Sequence, residues 1–279
     1  MTGLDFYNFQ GHLLSPPYKI ILMASILFEL RQNVAIITFN RPEKLNAFDR
    51  EMALSLQKLL DDCNAEEVRA VYITGSGKAF SAGQDLAEVT DPNGPGMQRI
   101  LSEHYNPLVK KLRDLPKPVV AAVNGVAAGA GANLALCCDI VVAAESALFI
   151  QAFSKIGLIP DSGGTFVLPR LIGWQKASAL MLLGDKVGAA EAERMGMIYK
   201  VFADDQFKEQ SMQIALTLAE MPTRGLAFTK KALNSSFTNA LDEQLMNEDK
   251  LQQQAASTAD FKEGVEAFIQ KRKPVFKGK

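Results

Sequence analysis

The chain is poor in cysteine and histidine. Only three cysteines and two histidines occur among its 279 residues. Three cysteines cannot form a disulfide framework, and the adjacent Cys137 and Cys138 lie in an apolar stretch, which predicts buried free thiols in a reducing compartment. His12 and His104 are too few for a histidine-rich metal site or a histidine-based triad. We therefore expect no metal site.

The chain also lacks a charge surplus and a long hydrophobic run. Its formal net charge is −1, so no basic surplus exists to bind nucleic acid. No apolar run approaches the roughly 18 residues of a membrane span. The first two dozen residues lack the basic start, apolar centre and small-residue cleavage site of a secretory signal. We expect a cytoplasmic protein that binds neither nucleic acid nor a membrane.

Hydrophobic patterns predict an α/β core up to about residue 170. Four short, continuous apolar runs predict strands covered on both faces, at residues 34–39, 71–74, 119–123 and 140–144. A helix capped near Asp49 is predicted by apolar residues that recur on one helical face, namely Met52, Leu56, Leu59, Leu60 and Cys63. A second helix is expected at residues 98–115, before Pro116 and Pro118.

After Trp174 the patterns are helical. The expected helices cover residues 177–183, 189–195, 206–221, 225–233, 241–256 and 260–271, with one short apolar break near Val201. This predicts a helical C-terminal third that packs on the core or on a neighbouring subunit.

Three glycine-bearing turns follow predicted strands, at residues 74–85, 124–133 and 157–165. The first is not a Walker loop, and the second fails as a dinucleotide fingerprint because Leu134 occupies the third glycine position. The second turn runs into a helix whose first turn, from Gly129 to Ala132, is nearly bare of side chains. Its unobstructed N–H groups are suited to hold an oxyanion. The alternative is that the glycines merely allow close packing.

The third turn contains Asp161. A single carboxylate beside N–H donors suits a proton shuttle next to a developing oxyanion, whereas water addition usually needs two acid/base groups. The alternative for Asp161 is a turn-forming residue that caps the next helix through the amides of residues 162–165.

Four segments, at residues 41–47, 80–85, 118–139 and 157–169, resemble the crotonase (enoyl-CoA hydratase/isomerase) superfamily. The resemblance covers about residues 26–279. It implies a spiral of ββα units, a C-terminal helical trimerisation region, and a homotrimer or dimer of trimers. It also implies an acyl-CoA thioester substrate, with coenzyme A as part of the substrate and no separate cofactor. The expected division is an N-terminal extension at 1–24, a spiral core at 25–220 and a helical oligomerisation region at 221–279. The extension shows no periodicity, so we expect either a mobile tail or a segment upstream of a start at Met23.

The resemblance also implies roles for individual residues. The backbone N–H groups of Gln84 and Ala130 are expected to hold the thioester oxygen, and Asp161 is expected to be the catalytic acid/base. Asn133 and Phe153 occupy the positions of the two hydratase glutamates, and neither can exchange a proton. The residues expected to bind substrate are Lys44, Leu45, Ala47, Ala82, Gln84, Asp85, Leu86, Tyr105 and Asn133. Asn133 is expected either to hydrogen-bond near the acyl group or to be satisfied by its neighbours.

Within the family, residues 105–109, 115–119, 159–165 and 260–268 are most similar to the ring-epoxide isomerases of phenylacetate catabolism. This implies conversion of ring-1,2-epoxyphenylacetyl-CoA to oxepin-CoA, and a shift of Δ3 double bonds to Δ2. Three alternatives remain: an enoyl-CoA hydratase of fatty-acid oxidation, a non-catalytic acyl-CoA-binding subunit, and a hydrolase or dehalogenase that uses Asp161 as nucleophile.

Overall fold

The computed structural model describes residues 19–22 and 25–279, which form two β-sheets and a set of helices. The larger sheet has the strand order β1-β2-β3-β4-β6-β8-β11, and the smaller sheet has the order β10-β9-β7-β5. The strands are β1 (Lys19–Leu22), β2 (Ile26–Arg31), β3 (Val34–Phe39), β4 (Ala70–Gly75), β5 (Ala79–Ser81), β6 (Val119–Val123), β7 (Val126–Ala128), β8 (Ile140–Ala144), β9 (Leu148–Ile150), β10 (Lys186–Gly188) and β11 (Lys200–Phe202).

The four predicted strands form the centre of the larger sheet. They correspond to β3, β4, β6 and β8, and neighbours within this set pair in parallel. Nearly all of their side chains are buried, because helices and the smaller sheet cover them. The predicted α/β class is confirmed. β1 and β2 extend the sheet in the antiparallel direction.

The helices are α1 (Arg50–Asp62), α2 (Leu86–Thr90), α3 (Gly96–Arg99), α4 (Asn106–Asp114), α5 (Ala130–Leu136), α6 (Gly164–Ile172), α7 (Trp174–Leu183), α8 (Ala189–Arg194), α9 (Asp204–Glu220), α10 (Thr223–Ser236), α11 (Leu241–Ala256) and α12 (Ala259–Ile269). A π-helical segment, Ile100–Tyr105, joins α3 to α4. α1 starts as predicted, because the Asp49 side chain accepts a hydrogen bond from the Met52 N–H.

Strands and helices follow a repeated order. In the pairs β4–β5, β6–β7 and β8–β9, the first strand joins the larger sheet and the second joins the smaller one. Each pair is followed by helix, so the chain winds through three ββα units. This is the spiral implied by the resemblance, and it brings the turn after β5 and the turn after β7 to the same side of the smaller sheet.

Two short strands lie between the predicted helices after Trp174, and one of them, β11, falls at the apolar break near Val201. β10 pairs with β9 in the smaller sheet, and β11 pairs with β8 in the larger sheet. Each strand is only three residues long and pairs with a strand far away in sequence, so a local pattern does not identify it as a strand. The predicted helices of this region are otherwise present within a few residues of their expected bounds.

Two cations, the buried Lys230 and the partly exposed Arg69, connect the C-terminal helices to the core. The Lys230 ammonium group on α10 donates to the Leu112 and Lys117 carbonyl groups and to Asp139, at 2.7, 3.2 and 2.8 Å. The Arg69 guanidinium, at the start of β4, donates to the Met221 carbonyl at 2.6 Å. Residues 221–279 therefore contact the core of the same chain, whatever they contact in an oligomer.

The predicted extension at residues 1–24 lies mostly outside the described residues. Its described part, Lys19–Leu22, forms β1 and pairs with β2. Among the described residues, no helix is both long and apolar enough to cross a membrane.

The close approach of α5 to β5 depends on Gly131. A Cβ atom at this position would lie 2.6 Å from the Ser81 carbonyl oxygen and 2.7 Å from its Cβ. We expect Gly131→Ala to lower the free energy of unfolding by about 1–3 kcal/mol, because the backbone must shift to make room. Denaturant unfolding monitored by circular dichroism measures the change.

Gly225→Ala is the matched control, because its Cβ would meet nothing closer than 3.7 Å on α10. Alanine is the better helix former by up to about 1 kcal/mol, so this variant should be at least as stable as the wild type. Equal stability of the two variants would refute the close-packing interpretation.

Candidate active site

A cleft of about 610 Å³ opens where the three glycine-bearing turns meet, within the usual size range of small-molecule sites. Most predicted site residues line it, namely Lys44, Ala47, Ala82, Gln84, Asp85, Leu86, Tyr105, Ala130 and Asp161. Leu45 and Asn133 are not among the lining residues. The Leu45 side chain is exposed, and its carbonyl group accepts from the Ala82 N–H at 2.9 Å. The Leu45 backbone therefore holds the first turn in place through this hydrogen bond.

The N–H groups of Gln84 and Ala130 lie on two adjacent turns in the cleft wall. A Cβ atom at Gly83 would lie 2.9 Å from the Ala128 carbonyl oxygen and 3.3 Å from the Ala130 nitrogen. Ala130 is the first residue of α5, where N–H groups have no partner within the helix. Neither N–H donates to another backbone or side-chain group of the described residues. Two unpaired donors in such a position can bind a developing oxyanion.

The Asp161 carboxyl group lies in the same cleft without an ion-pair partner among the described residues. It accepts a hydrogen bond from the Ser162 hydroxyl at 2.8 Å. Burial raises the pKa of Asp161 above its ordinary value, although the bonds from Ser162 and from its own backbone N–H oppose the increase. A raised pKa lies closer to neutral pH, and a group with such a pKa can both accept and return a proton.

Asp161 does not cap the following helix. The N-cap residue of α6 is Gly163, and no side chain there accepts from the first helical N–H groups. The capping alternative is therefore not supported.

Asp85 is a second carboxylate in the cleft, but it is already engaged. It forms an ion pair with Arg41 at 3.0 Å and accepts from the Ala87 N–H at 3.1 Å, as the cap of α2. Burial acts to raise the pKa of Asp85, but the bonds from Ala87 and Arg41 outweigh it, so the pKa is lowered. Asp85 is therefore an ionised structural group, and Asp161 is the better candidate for proton transfer.

Asn133 holds the turn that carries Asp161. Its side-chain amide donates to the Asp161 carbonyl oxygen at 2.8 Å and accepts from the Gln151 side chain at 2.8 Å. The Asp161 carbonyl also accepts from the Gly164 N–H at 2.8 Å. Asn133 is fully buried, so the second expectation for it is confirmed: its neighbours satisfy it. Asn133 does not line the cleft, but it holds the backbone of Asp161 in position.

Phe153 is buried and lines the cleft. Phe153 belongs to the 3-10 segment Ala152–Ile156. Its ring atom Cζ would lie 3.7 Å from a Cβ atom at Gly129. An apolar ring therefore lies next to Gly129 and Ala130, at the residue for which the resemblance implied the second hydratase glutamate.

Several cleft residues were not predicted. They include Val89, Met97, Lys155 and Ile156. They come from short helices and the 3-10 segment, whose residues show no periodic pattern. Lys155 and Lys44 supply positive charge to the cleft.

We expect Asn133→Ala to lower the free energy of unfolding by about 1–3 kcal/mol, because it leaves the buried Gln151 amide without its acceptor and the Asp161 carbonyl with one donor fewer. The control is Asn64→Ala, which removes a single exposed hydrogen bond to Asp61 and should change stability by less than about 0.5 kcal/mol. Chemical denaturation of both variants measures the difference. If Asn133→Ala cost no more than Asn64→Ala, Asn133 would not hold the turn.

Known proteins are similar to this chain in sequence and in fold. The sequence profile described as "Enoyl-CoA hydratase/isomerase" matches residues 29–279. A 1,2-epoxyphenylacetyl-CoA isomerase from Escherichia coli (strain K12) is 48% identical over 262 residues, which are 92% of this chain and 100% of the relative. A relative from Rhodobacter capsulatus, named "Probable enoyl-CoA hydratase", is 44% identical over 91% of this chain and 98% of its own length.

A solved structure gives the same result. The enoyl-CoA hydratase from Bacillus anthracis superposes with a TM-score of 0.83 at 31% identity, over 94% of this chain and 99% of that one. These matches include both the spiral core and the C-terminal helices. The chain therefore belongs to the enoyl-CoA hydratase/isomerase family, the crotonase superfamily, whose enzymes act on acyl-CoA thioesters as isomerases or hydratases.

Proposed function

We propose that the protein is an acyl-CoA isomerase that converts ring-1,2-epoxyphenylacetyl-CoA to oxepin-CoA in phenylacetate catabolism. The observation that carries the proposal is the Asp161 carboxyl group, which has no ion-pair partner among the described residues and shares the cleft with the Gln84 and Ala130 N–H donors. The substrate is proposed from the name of the Escherichia coli relative and from the similarity of the Asp161 turn to ring-epoxide isomerases.

The conversion needs one proton carrier and no water. Opening of the ring C–C bond of the epoxide gives a seven-membered oxygen ring with a double bond between the β and γ carbons of the thioester. Asp161 then removes a proton from the α carbon, and the electron pair moves onto the thioester oxygen, which the Gln84 and Ala130 N–H groups stabilise. Asp161 returns the proton to the γ carbon, which leaves the double bond between the α and β carbons.

The same proton transfer shifts a Δ3 double bond of an enoyl-CoA to Δ2. We therefore propose Δ3-enoyl thioesters as further substrates, since the α-to-γ transfer requires only a β,γ double bond next to the thioester.

Hydration is the second candidate, and the Rhodobacter capsulatus relative favours it by name. Water addition usually needs one group to activate the water and one to protonate the α carbon. Here the two hydratase-glutamate positions hold Asn133, which is hydrogen-bonded to the Asp161 turn, and the apolar Phe153. Rapid hydration of crotonyl-CoA by the purified protein would favour this candidate.

Coenzyme A is proposed to bind as part of the substrate. Lys44, Ala47, Ala82 and Leu86 line the part of the cleft formed by the first turn, where the family holds the pantetheine and adenine largely through backbone groups. Lys44 and Lys155 are the proposed cations for the phosphate groups, since a phosphate attracts ammonium groups strongly. No separate cofactor is proposed.

A homotrimer or a dimer of trimers is proposed as the assembled form. The C-terminal helices expose large apolar side chains, namely Leu233, Leu241, Leu245, Met246 and Phe268. α10 and α11 also border a groove of about 670 Å³. Leu233 and Leu245 both line this groove, and an exposed apolar groove of this kind supports an oligomer.

Asp161→Asn keeps the size of the side chain and removes its ability to exchange a proton. We expect isomerisation to fall by about 10²- to 10⁴-fold, with binding of the CoA ester nearly unchanged. Steady-state assays and calorimetric titration with a product thioester measure the two effects. Asp185→Asn, an exposed control, should behave as wild type. Near-full activity of Asp161→Asn would contradict the one-carboxylate mechanism.

The acidic limb of the pH profile should depend on Ser162. Its hydroxyl donates to the Asp161 carboxylate and lowers the pKa of Asp161, so Ser162→Ala should raise that pKa further. On acidification, the Asp161 carboxylate of this variant is then protonated at a higher pH than in the wild type. We expect the acidic limb of kcat/KM to move to higher pH in Ser162→Ala and to stay in place in the exposed control Ser257→Ala. A shift to lower pH, or none, would argue that this limb does not report Asp161.

A further inference from the structure

The Tyr105 hydroxyl is a polar group that the mechanism has not used. Tyr105 lines the cleft, yet its side chain is only 1% exposed. Its hydroxyl oxygen has no hydrogen-bond partner among the described residues. An unpaired buried hydroxyl is costly, and nearly all buried polar groups in native proteins find a partner. A ligand in the cleft is a natural candidate for that partner.

Tyr105 lies next to the Asp161 turn. It is the last residue of the π-helical segment Ile100–Tyr105, and Val109 follows one turn later on α4. Residues four positions apart share one face of a helix. The Asp161 turn rests on this face, because a Cβ atom at Gly163 would lie 3.4 Å from a Val109 methyl carbon. Tyr105 and Asp161 therefore form neighbouring walls of one cleft.

The surroundings keep this hydroxyl protonated. Burial, together with the charges of Asp161, Glu88 and Asp49, raises the pKa of Tyr105 well above its ordinary value. At neutral pH the group is thus a neutral phenol with a hydrogen to donate. It suits a ligand atom that accepts a hydrogen bond.

The two proposed substrates differ in such an atom. The ring-epoxide thioester and its oxepin carry an oxygen on the β carbon, whereas a Δ3-enoyl chain has only carbon and hydrogen there. Asp161 is proposed to move a proton from the α carbon to the γ carbon, and the β carbon lies between them. An oxygen on the β carbon is therefore close to Asp161 in the bound substrate.

We propose that the Tyr105 hydroxyl donates a hydrogen bond to the ring oxygen on the β carbon of the substrate, and that this bond selects oxygen-bearing ring thioesters over plain enoyl chains. The inference rests on the proposed function, and it adds a specificity-determining residue to it. A cleft built around a polar substrate atom discriminates against analogues that lack the atom, because its own polar group is then left unpaired.

The test compares kcat/KM for two thioesters, ring-1,2-epoxyphenylacetyl-CoA and a Δ3-enoyl-CoA, in wild type and Tyr105→Phe. The ring of Tyr105 contacts Phe48, and phenylalanine keeps that contact, so the variant is expected to fold. We expect activity on the ring epoxide to fall about 10- to 100-fold and activity on the Δ3-enoyl chain to stay within about twofold. The matched control is Tyr72→Phe, which removes a buried hydroxyl bonded to Ser211 and should leave the ratio of the two activities unchanged.

Each outcome has a separate meaning. An unchanged ratio in Tyr105→Phe, whether both activities fall equally or neither falls, overturns the role of Tyr105 and leaves the proposed function standing. Failure of the wild type to convert the ring epoxide overturns the proposed function, and the inference with it. A fall confined to the ring epoxide supports the inference.

Discussion

The candidate active site depends on the approach of two turns with almost no side chain between them. Gly131 lies against Ser81, and Gly83 lies against the backbone of Ala128 and Ala130. Because no Cβ atom intervenes, the Gln84 and Ala130 N–H groups come to lie in one wall of a shared cleft. Donors on the main chain are held by the fold itself, so they need little reorganisation when negative charge develops on a ligand.

The third turn is attached to this pair through Asn133. A side chain on α5, the helix that begins with Ala130, holds the carbonyl group of Asp161, so the proposed donor and the proposed base are braced by one short helix. The family resemblance implies that the hydratases carry a catalytic glutamate at the position of Asn133. In the proposed isomerisation, Asn133 instead orients the turn of the base, and Asp161 carries the proton.

Apolar patterns were sufficient to predict the central parallel strands and α1, since continuous burial and a one-sided helical face leave clear signals in sequence. Small-residue turns and the family resemblance together led us to expect Gln84, Ala130 and Asp161 in one site, and the structure brings them into one cleft. β10 and β11 were missed because each has three residues and depends on distant partners. The bond from Asn133 to the Asp161 carbonyl joins residues 28 positions apart, and no local pattern indicates it. Lys155 was not predicted as a cleft residue, because no local sequence pattern indicates the 3-10 segment to which it belongs.

The most direct test of the one-carboxylate account is the fate of the α hydrogen. The wild-type enzyme is incubated in ordinary water with the ring-epoxide thioester carrying deuterium at the α carbon, and the product is analysed by mass spectrometry and NMR. The account predicts a product isomeric with the substrate, with deuterium transferred to the γ carbon. A product heavier by one water, or one with no deuterium at the γ carbon, would contradict it.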